Sequence, residues 1–242
     1  MFGWRARIGL IVPSTNTTVE PEFAALAPDG VACFATRVPA RETTDADDKV
    51  AAILDMHGRI EAAARELADF GPDVIAYACT SGSFLKGVQS DAELCASLSD
   101  AHGLPMITTS AALLEALEAL GSHRVSVVTP YITQVSSGVQ RYLGESGYEV
   151  VAAHDLELLS NLDKGRLGPE ASYRAAQQIR HDDADVVIIS CTNWRTAEAA
   201  AALEKDLGIP VVSSNLATMW AALRAAGVET VDAHPGALFA TA

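Results

Sequence analysis

The sequence predicts an α/β protein built on parallel sheets, and two observations carry this prediction. Short β-rich runs alternate with Ala-rich helical stretches along the chain, a pattern typical of a parallel sheet covered on both faces by helices. Landmarks of the first half then recur, in the same order, in the second half. With 49% hydrophobic and 20% charged residues among 242, the composition is that of a folded globular protein.

The elements of the first half follow from hydrophobic spacing and from helix stop signals. Strands are predicted over residues 7–12, 73–78 and 105–108. Helices are predicted over residues 46–68, around 91–101 and over 110–120. Gly71-Pro72 ends the first helical region and Gly121 closes the last. Helices therefore separate the successive strands, as parallel pairing requires.

The second half repeats three landmarks of the first. Residues 125–130 (VSVVTP) echo residues 8–13 (IGLIVP), residues 185–193 (DVVIISCTN) echo 73–81 (DVIAYACTS), and 208–214 (GIPVVSS) echo 103–109 (GLPMITT). The offsets are 117, 112 and 105 positions. Because order and spacing are nearly kept, we interpret the chain as two related α/β halves, each of about 110 residues.

The chain is strongly acidic, with 31 Asp and Glu against 17 Lys and Arg and a net charge of −14. Nucleic acids and anionic lipids both favour basic surfaces, so we expect no nucleic-acid partner and no membrane attachment. The N-terminus has no signal-peptide pattern, and no apolar run reaches the ~18 residues of a membrane span. We therefore expect a cytoplasmic protein whose four cysteines are free thiols. A homo-oligomer is left open.

Each half places a cysteine just past the carboxyl end of a buried strand. Cys79 and Cys191 occupy equivalent positions, and each is followed by Thr and a further small or polar residue. Ligands bind at this edge of open parallel sheets, so the two thiols are expected on opposite walls of one cleft. A helix N-terminus lowers a thiol's pKa and favours the reactive thiolate. Cys33 and Cys95, by contrast, are expected to be buried apolar residues.

Further polar residues follow the first strand of each half. Residues 13–18 (PSTNTT) could cap a following helix or form a donor-rich loop that holds an anion, and Tyr131 offers a phenol at the equivalent place of the second half. Nucleotide-binding glycine motifs and a GxSxG nucleophile motif are absent, and the histidines lack metal-ligand spacing. We therefore expect no cofactor and no metal.

Several of these segments together resemble the maleate cis-trans isomerase branch of the aspartate/glutamate racemase superfamily. The resemblance extends nearly from end to end, and its most specific part is the PSTNTTVEPE run. The residues that carry it are 8–22 (IGLIVPSTNTTVEPE), 77–81 (YACTS), 128–131 (VTPY), Asn161 and 189–193 (ISCTN).

The resemblance implies two flavodoxin-like domains related by pseudo-twofold symmetry, with one substrate-facing cysteine in each. The helix after the third strand of each half would cross into the other domain, near Ser110 and Ala217. We therefore expect a first domain of residues 1–109 plus 217–242 and a second domain of residues 110–216.

The resemblance also implies a reaction on a small carboxylate. Cys79 would add to the alkene carbon of maleate, and rotation within the succinyl-cysteine adduct followed by loss of the thiolate would give fumarate. Cys191 would act as the opposing acid and base or as a stabilising thiol. The expected substrate-binding residues are Ser14, Asn16, Thr80, Ser81, Tyr131, Asn161, Thr192 and Asn193.

Other functions stay open at this point. The polar run after Cys79 is similar to that of arylmalonate decarboxylases, which have only the second cysteine, and two facing thiols also suit an amino-acid or hydantoin racemase or epimerase. A non-catalytic binding protein is the least expected, because binding alone has no need of paired thiols. Arg195 is a surface charge or a carboxylate clamp, and Trp194 and Trp220 are expected to be packing residues.

Overall fold

The computed structural model describes residues 1–230, 234 and 236–241. It contains two four-stranded parallel sheets with equivalent strand orders, β2-β1-β3-β4 and β6-β5-β7-β8. The first sheet consists of β1 (Ala6–Pro13), β2 (Val31–Val38), β3 (Val74–Tyr77) and β4 (Met106–Thr108). The second consists of β5 (Arg124–Thr129), β6 (Glu149–Asp155), β7 (Val186–Ile189) and β8 (Val211–Ser213). The predicted α/β class and its repeated halves are confirmed.

Helices cover both sheets. Those of the first half are α1 (Val19–Leu26), α2 (Ala46–Asp55), α3 (His57–Ala68), α4 (Thr80–Phe84), α5 (Val88–His102) and α6 (Thr109–Ala119). Those of the second half are α7 (Thr133–Glu145), α8 (Asn161–Gly165), α9 (Pro169–Ala176), α10 (Ala197–Leu207) and α11 (Ser214–Ala225), with a 3₁₀ turn at Leu238–Ala240. Among the described helices, none is long and apolar enough to cross a membrane.

Two strands and one helix break were not predicted from the sequence. β2 and β6 lie at the edges of their sheets and are only partly buried, so they lack the continuous apolar run of a central strand. The helical region predicted over 46–68 is divided at Met56, whose backbone N–H bonds to the carbonyls of Ile53 and Leu54. The three predicted strands lie within two residues of their predicted bounds.

The central strands place the loops that carry the cysteines. β3 and β7 are buried along their whole length, as expected for strands with helices on both faces. Cys79 follows β3 after one intervening residue, and Cys191 follows β7 in the same way. Parallel pairing brings the carboxyl ends of β1 and β5 beside them. All four loops therefore emerge at the ends of central strands, where parallel sheets bind ligands.

The two halves interlock through α6 and α11. These helices pack against each other, and Thr218 Oγ1 donates to Thr109 Oγ1 at 3.1 Å. α11 also contacts β3 and β4 of the first sheet as well as β8 of its own. Residues 214–223 of α11 are all buried, as a helix enclosed on every side requires. The division into residues 1–109 plus 217–242 and 110–216 stays a prediction.

Candidate active site

Cys79 and Cys191 line one small cavity between the two halves. Both cysteines are buried, with 5% and 4% of their surface exposed. The cavity volume is about 40 Å³, which is room for only a few water molecules. Of the residues expected to bind substrate, the structure brings seven to its wall: Asn16, Thr80, Ser81, Tyr131, Asn161, Thr192 and Asn193.

Ser14 is the expected binding residue that the structure places elsewhere. Its side chain is exposed, and its hydroxyl accepts a hydrogen bond of 2.9 Å from the backbone N–H of Ala40. The next two residues, Thr15 and Asn16, line the cavity instead. Ser14 therefore braces the loop after β1, and its assignment to the substrate site is not supported by its position.

The environment of Cys79 is set by the short helix α4 and by Tyr77. Burial raises the pKa of the Cys79 thiol and outweighs the groups that favour the thiolate, which are the Gly82 backbone N–H, the Tyr77 and Ser81 hydroxyls and the charge of Lys49. The backbone N–H at the start of α4 favours the thiolate as expected, but burial outweighs it, so the net pKa of this thiol is raised instead of lowered. α4 has only five residues, and removal of the sulfur from water dominates.

Gly82 allows the close approach of this helix to the sulfur. A Cβ atom at Gly82 would lie 3.0 Å from Cys79 Sγ and in collision with the Tyr77 hydroxyl. A side chain at this position would therefore push the backbone N–H that favours the Cys79 thiolate away from the sulfur.

Cys191 has an equivalent environment in the second half. Burial raises the pKa of its thiol, and the charge of Lys164, the Tyr131 hydroxyl and the Asn193 backbone N–H oppose that shift. Each thiol is therefore protonated at neutral pH. Hydrogen-bond donors nevertheless face each sulfur and would stabilise its thiolate form.

Hydrogen bonds from Asn16 join the first half to the loop after Cys191. Asn16 Oδ1 accepts from the backbone N–H groups of Thr18 and Val19 at 2.9 Å each, so the PSTNTT run does support the start of α1. Asn16 Nδ2 donates to Thr192 Oγ1 at 3.2 Å, and that hydroxyl donates to the Ala78 carbonyl at 3.2 Å. The Asn16 side chain therefore fills both roles expected of this run: it supports the start of α1, and it lines the cavity.

Asn161 and Asn193 form a second junction between the halves. Asn193 Nδ2 donates to the Asn161 carbonyl at 2.7 Å, and Asn193 Oδ1 accepts from the Thr17 backbone N–H at 2.9 Å. Asn161 Nδ2 donates to Thr15 Oγ1 at 3.1 Å, and Asn161 Oδ1 accepts from Lys49 Nζ at 2.9 Å. These amides fix the wall of the cavity across the junction between the two halves.

Two lysines at the cavity were missed by the sequence analysis. Lys49 and Lys164 are 1% and 2% exposed, and both line the cavity. Lys164 Nζ donates to the Leu159 carbonyl at 3.4 Å and lies 5.3 Å from the centroid of the Tyr131 ring. A signal for Lys49 was available, since it shares the apolar face of α2 with Ala52 and Ile53, three and four residues later.

The remaining candidates lie outside the cavity. Arg195 pairs with Glu198 and is about half exposed, so it is a surface charge. Trp194 and Trp220 are buried packing residues, as expected. Cys33 and Cys95 are half-buried and not fully enclosed in the core. Among the residues that the structure describes, no group of three or more His, Cys, Asp or Glu side chains is arranged to hold a metal ion.

Comparison with known proteins places this geometry in a family. Residues 8–239 match the family model of arylmalonate decarboxylase. A maleate isomerase of Pseudomonas putida is 31% identical over 98% of each chain, and an arylmalonate decarboxylase of Bordetella bronchiseptica is 32% identical over 95% of this chain and 93% of its own. The chain belongs to the arylmalonate decarboxylase and maleate isomerase family.

Solved structures of family members share the fold nearly completely. The maleate isomerase of Pseudomonas putida S16, in a cysteine-to-alanine variant with maleate, has a TM-score of 0.91 and 29% identity over 98% of each chain. Nocardia farcinica maleate cis-trans isomerase, in a cysteine-to-serine variant with a covalently bound succinylcysteine intermediate, has a TM-score of 0.87 and 28% identity over 97% of this chain and 98% of its own. Family membership and fold therefore agree.

Proposed function

We propose that this protein is a maleate cis-trans isomerase that works through a covalent adduct of Cys79. The observation that carries the proposal is the pair of buried cysteines, one from each half, on the wall of a single small cavity. The maleate isomerases among its relatives, and the succinylcysteine found in one of them, support it.

The proposed reaction begins at the sulfur of Cys79 once its thiol proton has passed to solvent, because the thiolate is the reactive form and burial keeps the resting thiol protonated. A double bond cannot rotate until its π component is removed, and addition of a thiolate removes it. As the C–S bond forms, the π electron pair moves to the neighbouring carbon, which takes the proton of the Cys191 thiol. The product of this step is a succinyl group on Cys79.

The second stage reverses the first after a rotation. The succinyl group turns about its central single bond, the Cys191 thiolate takes a proton back, and the C–S bond breaks to release fumarate and the Cys79 thiolate. The cycle is balanced without an oxidant, a reductant or a further reactant, so its chemistry needs no cofactor.

The donors around each sulfur support these roles. The Gly82 backbone N–H and the Tyr77 and Ser81 hydroxyls favour the Cys79 thiolate, whereas the Tyr131 hydroxyl favours that of Cys191. Charge-assisted hydrogen bonds of this kind stabilise an anion in a site from which water is excluded. We propose that the substrate carboxylates contact the polar residues of the wall, which are Asn16, Thr80, Ser81, Tyr131, Asn161, Thr192 and Asn193.

One feature favours isomerisation over arylmalonate decarboxylation. A decarboxylase needs only the second cysteine, whereas both Cys79 and Cys191 line this cavity. Racemisation would use the same two thiols but would form no adduct.

Proton NMR in deuterated water separates these reactions in one experiment. The wild-type protein is incubated with maleate, aspartate, a hydantoin and phenylmalonate in turn. We expect fumarate from maleate, whereas α-deuteration of aspartate or of the hydantoin would indicate a racemase and loss of CO₂ from phenylmalonate would indicate a decarboxylase. Maleate that stays unchanged would overturn the proposal.

A further inference from the structure

The two buried lysines favour the thiolate forms of Cys79 and Cys191, but the proposed chemistry assigns them no contact with the substrate. The chain has four lysines. Lys49 and Lys164 are buried at the cavity, whereas Lys86 and Lys205 are exposed. Moving an ammonium group out of water is costly, so lysines are rarely buried without a charge partner. That both buried lysines of the chain lie at one cavity indicates a function for their charge.

The charge of each lysine is not neutralised within the cavity wall. Across the described residues, neither ammonium group lies within 4.0 Å of a carboxylate oxygen. Glu42 is the acid whose charge acts on both lysines. Its side chain is exposed and accepts a hydrogen bond from the Asn161 backbone N–H. Lys49 donates to the Asn161 side chain and Lys164 to the Leu159 carbonyl. Since an ammonium group has three donors, each lysine keeps donors for a ligand.

The two lysines share one side of the cavity. Asn161 and Lys164 are three residues apart on α8 and therefore lie on the same face of that helix. Lys49 reaches this face from α2 by its hydrogen bond to Asn161. Burial lowers the pKa of Lys164, and the nearby charge of Lys49 lowers it further. Two neighbouring cations in a water-poor cavity attract two neighbouring anionic groups.

We propose that Lys49 and Lys164 form a cationic clamp that selects dianionic cis-dicarboxylates, with one ammonium group for each carboxylate. The inference rests on the proposed function, because it concerns the substrate of the same cavity. In a cis-dicarboxylate both carboxylates lie on one side of the double bond and both reach the clamp. In the trans product they lie on opposite sides, and only one contacts it. The clamp therefore favours binding of the cis acid and release of the trans acid.

The clamp also offsets charge repulsion in the proposed addition step. A Cys79 thiolate and a dicarboxylate bring three negative charges into one small cavity, and their repulsion is strong at low dielectric constant. The two ammonium groups compensate two of these charges. A monoanionic acid would leave one lysine buried without an anion, so the cavity is expected to reject it.

Succinate and succinamate test the clamp independently of catalysis. They have the same length and number of heavy atoms, lack a double bond to react, and differ by one charge. Their binding is measured by calorimetry on the wild-type protein, on Lys49→Met and Lys164→Met, and on the exposed-lysine control Lys205→Met. We expect the wild-type protein and the control to prefer succinate at least about 10-fold. Each cavity variant should lose about 10-fold in succinate affinity while its succinamate affinity changes less.

The outcomes separate the clamp from the isomerase proposal. A succinate preference that survives in both cavity variants, with folding verified by circular dichroism, overturns the clamp. Lys49→Gln and Lys164→Gln serve as second variants that keep a polar side chain without the charge, and the same loss is expected in them. If the wild-type protein leaves maleate unchanged but shows the lysine-dependent preference for succinate, the isomerase proposal fails and the clamp stands.

Discussion

The Glu22 carboxylate accepts a hydrogen bond of 2.7 Å from Asn215 Nδ2, although 193 positions separate the two residues in sequence. The same carboxylate accepts from the backbone N–H groups of Thr196 and Ala197 at 2.9 and 3.3 Å. Asn215 Nδ2 also donates to the Thr192 carbonyl at 3.1 Å. A buried acid on α1 therefore holds both the start of α10 and the loop that follows Cys191.

Glu22→Ala is expected to lower the free energy of unfolding by about 3 kcal/mol, because three buried donors lose their acceptor. Urea unfolding followed by circular dichroism measures the change. Glu20→Ala, on the same helix, is the matched control. Glu20 forms a partly exposed ion pair with Arg37, so its loss should cost less than about 1 kcal/mol. Equal losses in the two variants would show that the hydrogen bonds of Glu22 do not stabilise the fold more than a surface ion pair does.

Cys79→Ser is expected to reduce kcat for maleate by about 1000-fold or more, because a hydroxyl without a neighbouring base is a poor nucleophile. Succinate affinity should stay within about threefold of wild type, which shows that the cavity is intact. Steady-state kinetics and calorimetry give the two values. A Cys79→Ser protein with near-normal turnover would exclude the adduct mechanism.

Cys191→Ser is expected to form the Cys79 adduct more slowly, with a proton taken from water, and to accumulate protein heavier by the mass of one maleic acid. The serine hydroxyl of this variant would be a much weaker acid and base than the thiol it replaces, so the adduct formed at Cys79 would persist. Intact-protein mass spectrometry detects it, and the Cys79→Ser/Cys191→Ser double variant is the control that should carry none. Adduct on the double variant would place the modification at another residue.

Gly82→Ala is expected to reduce turnover by about 10-fold to 100-fold, because the new methyl group would press on Cys79 Sγ and the Tyr77 hydroxyl. Gly144→Ala is the matched control. Gly144 lies in α7, and a Cβ atom at this position would meet no heavy atom within 4 Å. This change should therefore leave turnover unchanged and raise stability by about 0.5–1 kcal/mol. Kinetics and thermal unfolding of both proteins check the contrast.

Lys164→Met is expected to be more stable than the wild-type protein at neutral pH, by about 3 kcal/mol. Burial lowers the pKa of Lys164 from 10.5 to about 8. Between those values the unfolded chain binds more protons than the folded one, so stability from this residue rises as pH increases through that window. The advantage of the variant should therefore shrink from pH 8 to pH 10.

Comparison of Lys164→Met with the wild-type protein isolates the pH-dependent stability that comes from Lys164. The other charged or titratable groups that face this lysine are Cys79, Cys191, Lys49 and Glu42. The raised pKa values of the two thiols act in the opposite direction, since their stability contribution is lost as pH rises above about 9. The Cys79 contribution is present in both proteins and cancels in the difference. Loss of the Lys164 charge raises the pKa of Cys191 further in the variant, which also reduces the variant's advantage at high pH. Urea unfolding at pH 7, 8, 9 and 10 measures the difference in free energy of unfolding between the two proteins. A difference that does not change with pH would contradict the lowered pKa of Lys164.

The repeat predicted the fold and the meeting of the two cysteines, because strands of parallel sheets end at a common edge. The lysines are not part of the repeat. Lys49 could have been found from helical spacing, since it shares the apolar face of α2 with Ala52 and Ile53, whereas Lys164 lies in a helix of only five residues with too few positions to show a pattern.

Other features depended on local geometry that spacing does not contain. Ser14 and Thr15 are neighbours in a polar run, yet only Thr15 lines the cavity, because the turn of the loop decides which side chain points inward. The direction of the thiol pKa shifts depends on how completely Cys79 and Cys191 are removed from water, which only the packed structure specifies.

The hydrogen bonds between the two halves have a kinetic consequence. The bond between Asn16 and Thr192 joins residues 176 positions apart, and the bond between Asn193 and Thr17 spans a similar distance. Contacts between residues so remote in sequence form late, because a long loop must first be closed. During refolding from denaturant, recovery of turnover should therefore lag behind recovery of helical circular dichroism, since each half can regain its helices before the cavity exists.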